Sequence, residues 1–267
     1  MAYALIIMGM PMSPDVSGNL HENLLLASLR PDDLDALSDH FEPVELRRGD
    51  TLIYPNEPIE SIVFPTSGIV SIITAVEDNE HVEIGIIGRE GMTDGSVLAG
   101  IDRVPHEIFV QMAGNGLQIE AKTLYRLSEE RPALRRHLMR WVHVLNIQTG
   151  QTVVSNSAFN VEARLARWLL MCQDRIGGNR IKLTHEFMGL MLAVRRSTVT
   201  LTTHAIEGAG IIKAERGVIT IRDRAALEEL AGASYGVTER EYERIIGPLR
   251  SHEKRGGEVV PPRVSVQ

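Results

Sequence analysis

Residues 183–207 decide the fold of the C-terminal part of this chain; they read LTHEFMGLMLAVRRSTVTLTTHAIE. Two short helical patterns meet in this stretch around residues 193–195. The first begins at Thr184, a residue type that caps helix N-termini well, and the second begins at about Arg196. Their apolar positions, at helical spacing, are Phe187, Met188, Met191 and Leu192 in the first and Val199, Thr202, Thr203 and Ile206 in the second. Helices this short need each other and a third helix for stability, which predicts a helix-turn-helix.

The outward face of the second helix carries a different set of side chains near its N-terminus. They are Arg196, Ser197, Thr200 and Leu201. In a helix-turn-helix, this part of the second helix enters the major groove of DNA. Two short β runs follow at residues 211–213 and 218–221, and the segment between them contains Arg216 and Gly217. This pattern predicts a hairpin with a basic tip, the wing of a winged helix. The alternative is an ordinary helical hairpin with solvated arginines.

The same stretch resembles the DNA-binding domain of the Crp–Fnr superfamily of bacterial transcription regulators. The positions that carry the resemblance are Leu183, Thr184, Arg196, Thr198, Val199, Gly208 and Gly210, with the upstream runs 159–166 and 168–170. A weaker resemblance covers most of residues 25–230. Three positions depart from the family pattern: Ser197 replaces a frequent Glu, Leu201 a frequent second Arg, and Ala193 a frequent Gly. We therefore do not assume the operator sequence of the best-known members.

The resemblance implies a homodimer that binds double-stranded DNA at a palindromic operator, with RNA polymerase as a further partner. It places a base-reading arginine at Arg196, whereas Lys213 and Arg216 on the hairpin would hold phosphates. The complete set of predicted DNA-binding residues is Thr184, Arg195, Arg196, Ser197, Thr198, Thr200, Leu201, Lys213 and Arg216.

Composition and charge agree with selective DNA contact by part of the chain. The 267 residues are enough for two modest domains, and their net charge of −7 argues against a protein that coats nucleic acid indiscriminately. Residues 175–216 nevertheless carry +4, so the rest of the chain holds −11. The single cysteine, Cys172, excludes an intrachain disulfide framework and a four-cysteine metal site, and the cytoplasm is the expected compartment. Residues 1–12 are apolar but too short to span a membrane.

Residues 41–119 have the texture of a β domain, because short apolar runs alternate with Gly, Pro, Asn and Asp. The runs are 51–54, 61–64, 68–73, 81–87 and 107–112. Many short strands at this spacing predict a β-sandwich, jelly roll or barrel. The segments 47–57 and 64–68 resemble turns of the cyclic-nucleotide-binding-like domain. We therefore predict an α+β chain: an N-terminal β jelly-roll, a long dimerisation helix and a C-terminal winged helix-turn-helix.

Residues 122–176 are predicted to be mostly helical, with a narrow stripe at steps of three and four. The stripe suits a coiled-coil-like seam, and the resemblance assigns it to dimerisation. The predicted dimer interface comprises Leu134, Leu138, Trp141, Val142, Leu145, Thr149 and Thr152. The alternative is that the stripe packs on the chain's own β domain. Asn160 and Asp223 are suited to cap two later helices, and Thr238 with Glu241 has the spacing of a capping box.

We divide the chain into five predicted segments. They are a flexible extension at 1–20, a β-roll sensor domain at 21–130, a dimerisation helix at 131–158, a winged-helix domain with C-terminal helices at 159–250, and a disordered tail at 251–267.

The sensor stretch at residues 88–97 lacks the cyclic-nucleotide signature of the family. Ser96 stands where a ribose-binding Glu is expected, and His106-Glu107 falls where an Arg-Ser pair is expected. Cyclic AMP and GMP are therefore not expected to bind. If a ligand binds here, its contacts would be Arg89, Glu90, Thr93, Asp94 and Ser96. His81 and His106 do not by themselves predict haem, and we predict no metal or cofactor; the effector stays unknown.

The function that these patterns favour is a sequence-specific, homodimeric transcription regulator, and not an enzyme. A ligand-binding sensor that acts through protein partners is the alternative, and the basic helix and wing argue against it. The chain also shows no nucleophile elbow, metal-ligand cluster or phosphate loop that would support an enzyme with a β-barrel active site.

Overall fold

The computed structural model describes residues 19–75 and 81–249. The predictions for the disordered tail and for nearly all of the N-terminal extension lie outside the described residues. Within the described ranges, no helix is both long and apolar enough to cross a membrane.

The N-terminal domain is a sandwich of two antiparallel sheets, which confirms the predicted jelly-roll. One sheet has the order β1-β7-β3 and the other the order β2-β6-β4-β5. The strands are β1 Glu42–Leu46, β2 Thr51–Ile53, β3 Ser61–Pro65, β4 Ile69–Ala75, β5 His81–Ile87, β6 Glu107–Met112 and β7 Gly114–Glu120. The core between the sheets is mainly aliphatic, with Phe41 packed edge-on against Phe64. Gly114 is required at the start of β7, because a Cβ there would lie 2.3 Å from the carbonyl oxygen of Ser67.

In the sequence, helices both precede and follow the strands of the sandwich. Two short ones precede it, α1 (Leu24–Ala27) and α2 (Pro31–Ser38), and Pro31 separates them as predicted because it suits the first turn of a helix. Two follow it, α3 (Ala121–Glu130) and the long helix α4 (Pro132–Ala158).

The C-terminal domain is a winged helix followed by two helices. Its elements are α5 (Val161–Ile176), β8 (Arg180–Lys182), α6 (His185–Met191), α7 (Arg196–Gly208), β9 (Ile212–Glu215), β10 (Val218–Ile221), α8 (Arg224–Ala231) and α9 (Val237–Ile245). Side chains of Asn160, Thr184 and Asp223 cap α5, α6 and α8 as predicted, each accepting a hydrogen bond from a backbone N–H. Strand β8, which is not predicted from the sequence, pairs with β10 and widens the wing into a sheet. Cys172 is fully buried in α5.

The capping box predicted at Thr238 and Glu241 is wrong. Helix α9 begins one residue earlier than Thr238, and the carboxylate of Glu239 accepts a hydrogen bond of 3.0 Å from the N–H of Gly236. Gly236 has a φ of +99°, which only glycine adopts readily, so it fixes the start of the helix. Glu241 instead pairs with Arg244 on the same helix and with His143 of α4.

The structure also corrects the predicted dimer stripe on α4. Leu134, Leu138 and Trp141 are at most 1% exposed, because they pack into the core of the chain's own sandwich. The Trp141 Nε1–H donates a hydrogen bond of 3.1 Å to the carbonyl of Met92, and its ring lies so close to Gly91 that a Cβ there would clash. These three residues are therefore unavailable to a partner, and the alternative interpretation of the stripe holds for them. Val142, Leu145, Thr149 and Thr152 are half-buried.

Replacing Ala193 by glycine is expected to raise the free energy of unfolding by about 1 kcal/mol, because Ala193 has a φ of +49° that costs a Cβ-bearing residue more than glycine. Urea unfolding measures the change. Ala205→Gly is the matched control: Ala205 is exposed inside α7, where glycine should lower stability by about 0.5–1 kcal/mol. A loss of stability in both variants would contradict the strain at Ala193.

Candidate DNA-binding site

The turn between α6 and α7 sets the direction of the second helix. Ala193 takes the left-handed conformation there, and Gly189 lies beneath it, where a Cβ would be 2.9 Å from the carbonyl oxygen of Val194. The guanidinium of Arg164, on α5, donates a hydrogen bond to the carbonyl of Leu192. This bond ties the turn to the supporting helix. The buried side chains of Met188, Leu192, Val199 and Ile206 then fix α6 and α7 against α5.

The N-terminal half of α7 presents the predicted base-reading face to solvent. Arg195, Arg196 and Ser197 are exposed, and Leu201, one turn further on, is 72% exposed. Thr198 is half-buried, and the exposed Thr184 is engaged in capping α6. The start of α7 therefore presents the guanidinium groups of Arg195 and Arg196 and the exposed side chain of Leu201 to solvent.

On the same helix, the hydroxyl of Thr200 bonds to other groups of the domain. It donates a hydrogen bond of 3.1 Å to the carbonyl of Arg196 and lies 3.0 Å from Nδ1 of His185. Partial burial, followed by the nearby charge of Arg196, lowers the pKa of His185, so its ring is neutral at physiological pH. Thr200 thus links the start of α7 to α6.

The wing lies beside α7 as a hairpin of β9 and β10 with Arg216 and Gly217 at its tip. Glu207 on α7 accepts a hydrogen bond of 2.8 Å from the N–H of Ala214, which fixes the wing to the recognition helix. Lys213 forms an ion pair of 2.7 Å with Glu215, and this bond lowers the pKa of the Glu215 carboxyl. Lys213 therefore presents less free charge to a phosphate than the sequence suggested, whereas Arg216 is exposed at the tip.

Three basic residues of the wing sheet are not among the contacts predicted from the sequence. Arg180 and Lys182 lie on β8 and Arg222 follows β10; all three are exposed. The charges of Arg180 and Arg222 contribute to the lowered pKa of Glu215, so they lie near the wing. For Arg180 and Lys182, the signal in the sequence was the positive charge of residues 175–216, but only the pairing of β8 with β10 brings these two residues into the sheet.

Comparisons with known proteins agree with this geometry. The family model of the Crp-like helix-turn-helix domain matches residues 163–230. The fumarate and nitrate reduction regulatory protein of Escherichia coli strain K12 is 23% identical over 221 residues, covering 77% of this chain and 84% of that protein. The chain therefore carries a Crp-like helix-turn-helix domain and is similar to Crp–Fnr regulators over most of its length. It is a transcription regulator with a helix-turn-helix DNA-binding domain.

Solved structures of Crp–Fnr proteins share the fold. FixK2 from Bradyrhizobium japonicum superposes with a TM-score of 0.64 at 15% identity, over 72% of this chain and 98% of that one. The c-di-GMP-responsive global regulator CLP from Xanthomonas campestris superposes with a TM-score of 0.58 at 13% identity, over 72% and 99%. Because the relatives and fold neighbours are regulators and not enzymes, the comparisons support the non-enzymatic prediction.

In the sensor loop, the side chains that were predicted to contact a ligand lie against other parts of the same protein. Glu90 forms a buried ion pair of 2.8 Å with Arg175 of α5, and Arg89 lies beside Gly177. The hydroxyl of Thr93 accepts a hydrogen bond of 3.1 Å from the N–H of Val63. The carboxylate of Asp94 accepts hydrogen bonds from the N–H and hydroxyl of Ser96, and His106 lies 3.4 Å from it.

The helix α4 covers the same sensor loop. A Cβ at Gly91 would lie 2.2 Å from the ring of Trp141, and one at Gly95 would lie 2.2 Å from Val142. The stretch that corresponds to the family's nucleotide loop is thus packed directly on the long helix. In residues 19–75 and 81–249, no group of three His, Cys, Asp or Glu side chains is placed to hold a metal ion.

The winged helix of the regulator also packs against the sandwich, around Glu83 of β5. The indole N–H of Trp168 donates a hydrogen bond of 2.8 Å to Glu83, and the hydroxyl of Ser71 lies 2.9 Å from the other carboxyl oxygen. Ser71 also donates a bond of 2.6 Å to Gln111. Its single proton cannot serve both acceptors, so a protonated Glu83 that donates to Ser71 satisfies the network. Burial agrees with this assignment, because it raises the pKa of Glu83 to about 8.

The junction is expected to make the stability of the regulator fall as pH rises. Folding raises the pKa of Glu83 from 4.5 to about 8, so the folded state binds the extra proton between these values. Its contribution is fully present below about pH 4.5 and is lost toward pH 8, by at most about 1.4 kcal/mol per pH unit. Urea unfolding between pH 5 and 8 should therefore show a flatter dependence in Glu83→Gln than in the wild type.

The matched control for this measurement is Glu215→Gln. The hydrogen bond from Lys213 lowers the pKa of the exposed Glu215 carboxyl, so this residue stays ionised throughout the range. Its replacement should leave the slope between pH 5 and 8 unchanged. If Glu83→Gln also retained the wild-type slope, the protonated assignment of Glu83 would be wrong.

Proposed function

We propose that this chain is a homodimeric, sequence-specific regulator that reads a palindromic operator with α7 and holds the DNA backbone with its wing sheet. The observation that carries the proposal is the exposed N-terminal half of α7, where Arg195, Arg196, Ser197 and Leu201 face solvent beside a basic wing. The buried face of the same helix is committed to the domain core, so the exposed face is the one left for DNA. Such a role places the protein in the cytoplasm, with the bacterial chromosome.

Arg196 has the position and chemistry of a base reader. It is the first residue of α7, and its guanidinium can donate two parallel hydrogen bonds to O6 and N7 of guanine. Arg195 precedes the helix and is also exposed, so it is the next residue to test. The wing residues lie on strands and a turn, where their charge meets phosphates and carries no sequence information. We therefore assign specificity to α7 and affinity to the wing sheet.

Binding of a panel of single-base operator variants, selected first from a random DNA pool, tests this division. Arg196→Ala should remove preference at one symmetric pair of positions, a loss of about 1–3 kcal/mol of discrimination for each. Arg216→Ala should weaken all operators alike and reduce the dependence of log affinity on log salt by about 0.9 for each phosphate that the wing no longer neutralises. If Arg196→Ala weakened every operator equally, α7 would not be the reading helix.

Glu215→Gln is the charge control for the wing. Because Glu215 pairs with Lys213 at 2.7 Å, its neutralisation should free the ammonium group and strengthen binding to all operators alike. Weaker binding in this variant would mean that the ion pair itself positions the wing.

The dimer that we propose uses the side of α4 that the sandwich leaves exposed or half-buried. Met139, Val142, Asn146, Thr149 and Val153 follow one another at steps of three and four. Met139 is 41% exposed and Val153 65%, whereas Val142 and Thr149 are half-buried. Steps of three and four are the spacing of a two-helix seam, and the polar Asn146 in the stripe favours a single register. Two-fold pairing would place the two α7 helices on half-sites about 10 base pairs apart.

Val153→Glu is expected to shift the protein from dimer to monomer, because two carboxylates would meet across the two-fold seam. Light scattering at micromolar concentration measures the mass against the chain mass of 29.6 kDa. Val154→Glu is the matched control: Val154 is 45% exposed but points about 100° further round the helix. Dissociation by Val154→Glu alone would move the seam to that face.

The sensor domain, in this proposal, does not respond to cyclic AMP or GMP. The loop at residues 88–97 has its acidic and hydroxyl side chains bonded within the chain and lies under Trp141 and Val142. RNA polymerase is the further partner that we propose for a regulator of this type. The alternative, a sensor that acts through protein partners only, would leave Arg196→Ala without effect on any DNA.

A further inference from the structure

Leu201 is the most exposed of the large hydrophobic side chains in residues 19–75 and 81–249, at 72%. It lies in the middle of a well-packed helix whose opposite face carries the buried Val199 and Ile206. A leucine in this setting gains free energy only when another molecule covers it.

The neighbours of Leu201 indicate which surface would cover it. Ser197 lies four residues earlier on the same helix face, and Arg196 lies beside Ser197. Both are exposed, so the leucine extends a surface that begins with a guanidinium and a short hydroxyl. In the major groove, bases present hydrogen-bonding atoms almost everywhere, and the one apolar group is the C5-methyl of thymine. A side chain without donors or acceptors can discriminate bases there only through that methyl group.

We propose that Leu201 is a specificity-determining residue that selects thymine in the operator by packing against its C5-methyl group. The inference rests on the proposed function, since it requires α7 to enter the major groove. Its ligand is a 5-methylpyrimidine, on the base pair that faces the turn of α7 following Ser197. This assignment also gives a structural reason for a leucine at a position where an arginine would read guanine instead.

Deletion of one methyl group from the DNA tests the proposal. Each symmetric pair of thymines in the selected operator is replaced in turn by deoxyuridine, which removes only the C5-methyl. Wild-type protein should lose affinity about fourfold per half-site at one pair of positions, the value of one buried methyl group. Leu201→Ala should bind the thymine and uracil operators equally, and Leu201→Met should retain most of the discrimination because its side chain is also long and apolar.

Arg196→Ala is the control that separates this inference from the proposed function. It should lose its own base preference but keep the wild-type response to uracil at the Leu201 position. Suppose that Arg196→Ala gives this result but Leu201→Ala still loses the full fourfold affinity on the uracil operator. Then α7 reads DNA, but Leu201 does not read thymine. If no uracil substitution weakens the wild type, the inference is also overturned. If the protein selects no operator at all, the proposed function fails and the inference fails with it.

Discussion

The ion pair between Glu90 and Arg175 holds the two domains of this regulator together. Nε of Arg175 lies 2.8 Å from the carboxylate of Glu90, and both side chains are at most 2% exposed. Two buried charges are stable only when each has the other and further bonds. Glu90 also accepts from the N–H of Gly88, and Arg175 also donates to the carbonyl of Met171. Removal of either partner would leave an uncompensated charge in the junction, so the sensor loop and α5 are fixed relative to each other.

This ion pair also sets the surroundings of the sensor loop. Arg175 reaches the loop from the DNA-binding domain, and its charge is paired with the carboxylate of Glu90. The close approach leaves no room for larger residues, since a Cβ at Gly88 would lie 2.7 Å from the Cβ of Arg175. Trp141 covers the next glycine of the loop. The loop therefore serves as a packing surface between the long helix and the winged helix.

The docking of the winged helix leaves its recognition surface free. Helix α6 contacts the sandwich, where Phe187 packs edge-on against Phe109 at 6.1 Å and Arg48 lies over the Phe187 ring. Helix α7 faces away from this contact along its N-terminal half. Glu83, bonded to Trp168, lies in the same junction. The domain is thus held through its supporting helices, and the side chains that we assign to base reading are not used for the docking.

The sequence by itself determined much of the local structure: five of the strands of the sandwich, the helix-turn-helix, the wing, and the caps at Thr184, Asn160 and Asp223. These features depend on periodicity and on bonds between residues three or four apart, which a linear pattern records. Only the tertiary structure decided whether α4 packs on its own sandwich or on a partner subunit. An apolar stripe has the same residue spacing in both cases, so the sequence does not distinguish them. The tertiary structure also decided the pairing of Glu90 with Arg175 and of β8 with β10. Such pairings join residues far apart in the chain, and their free energy comes from burial that no local pattern specifies.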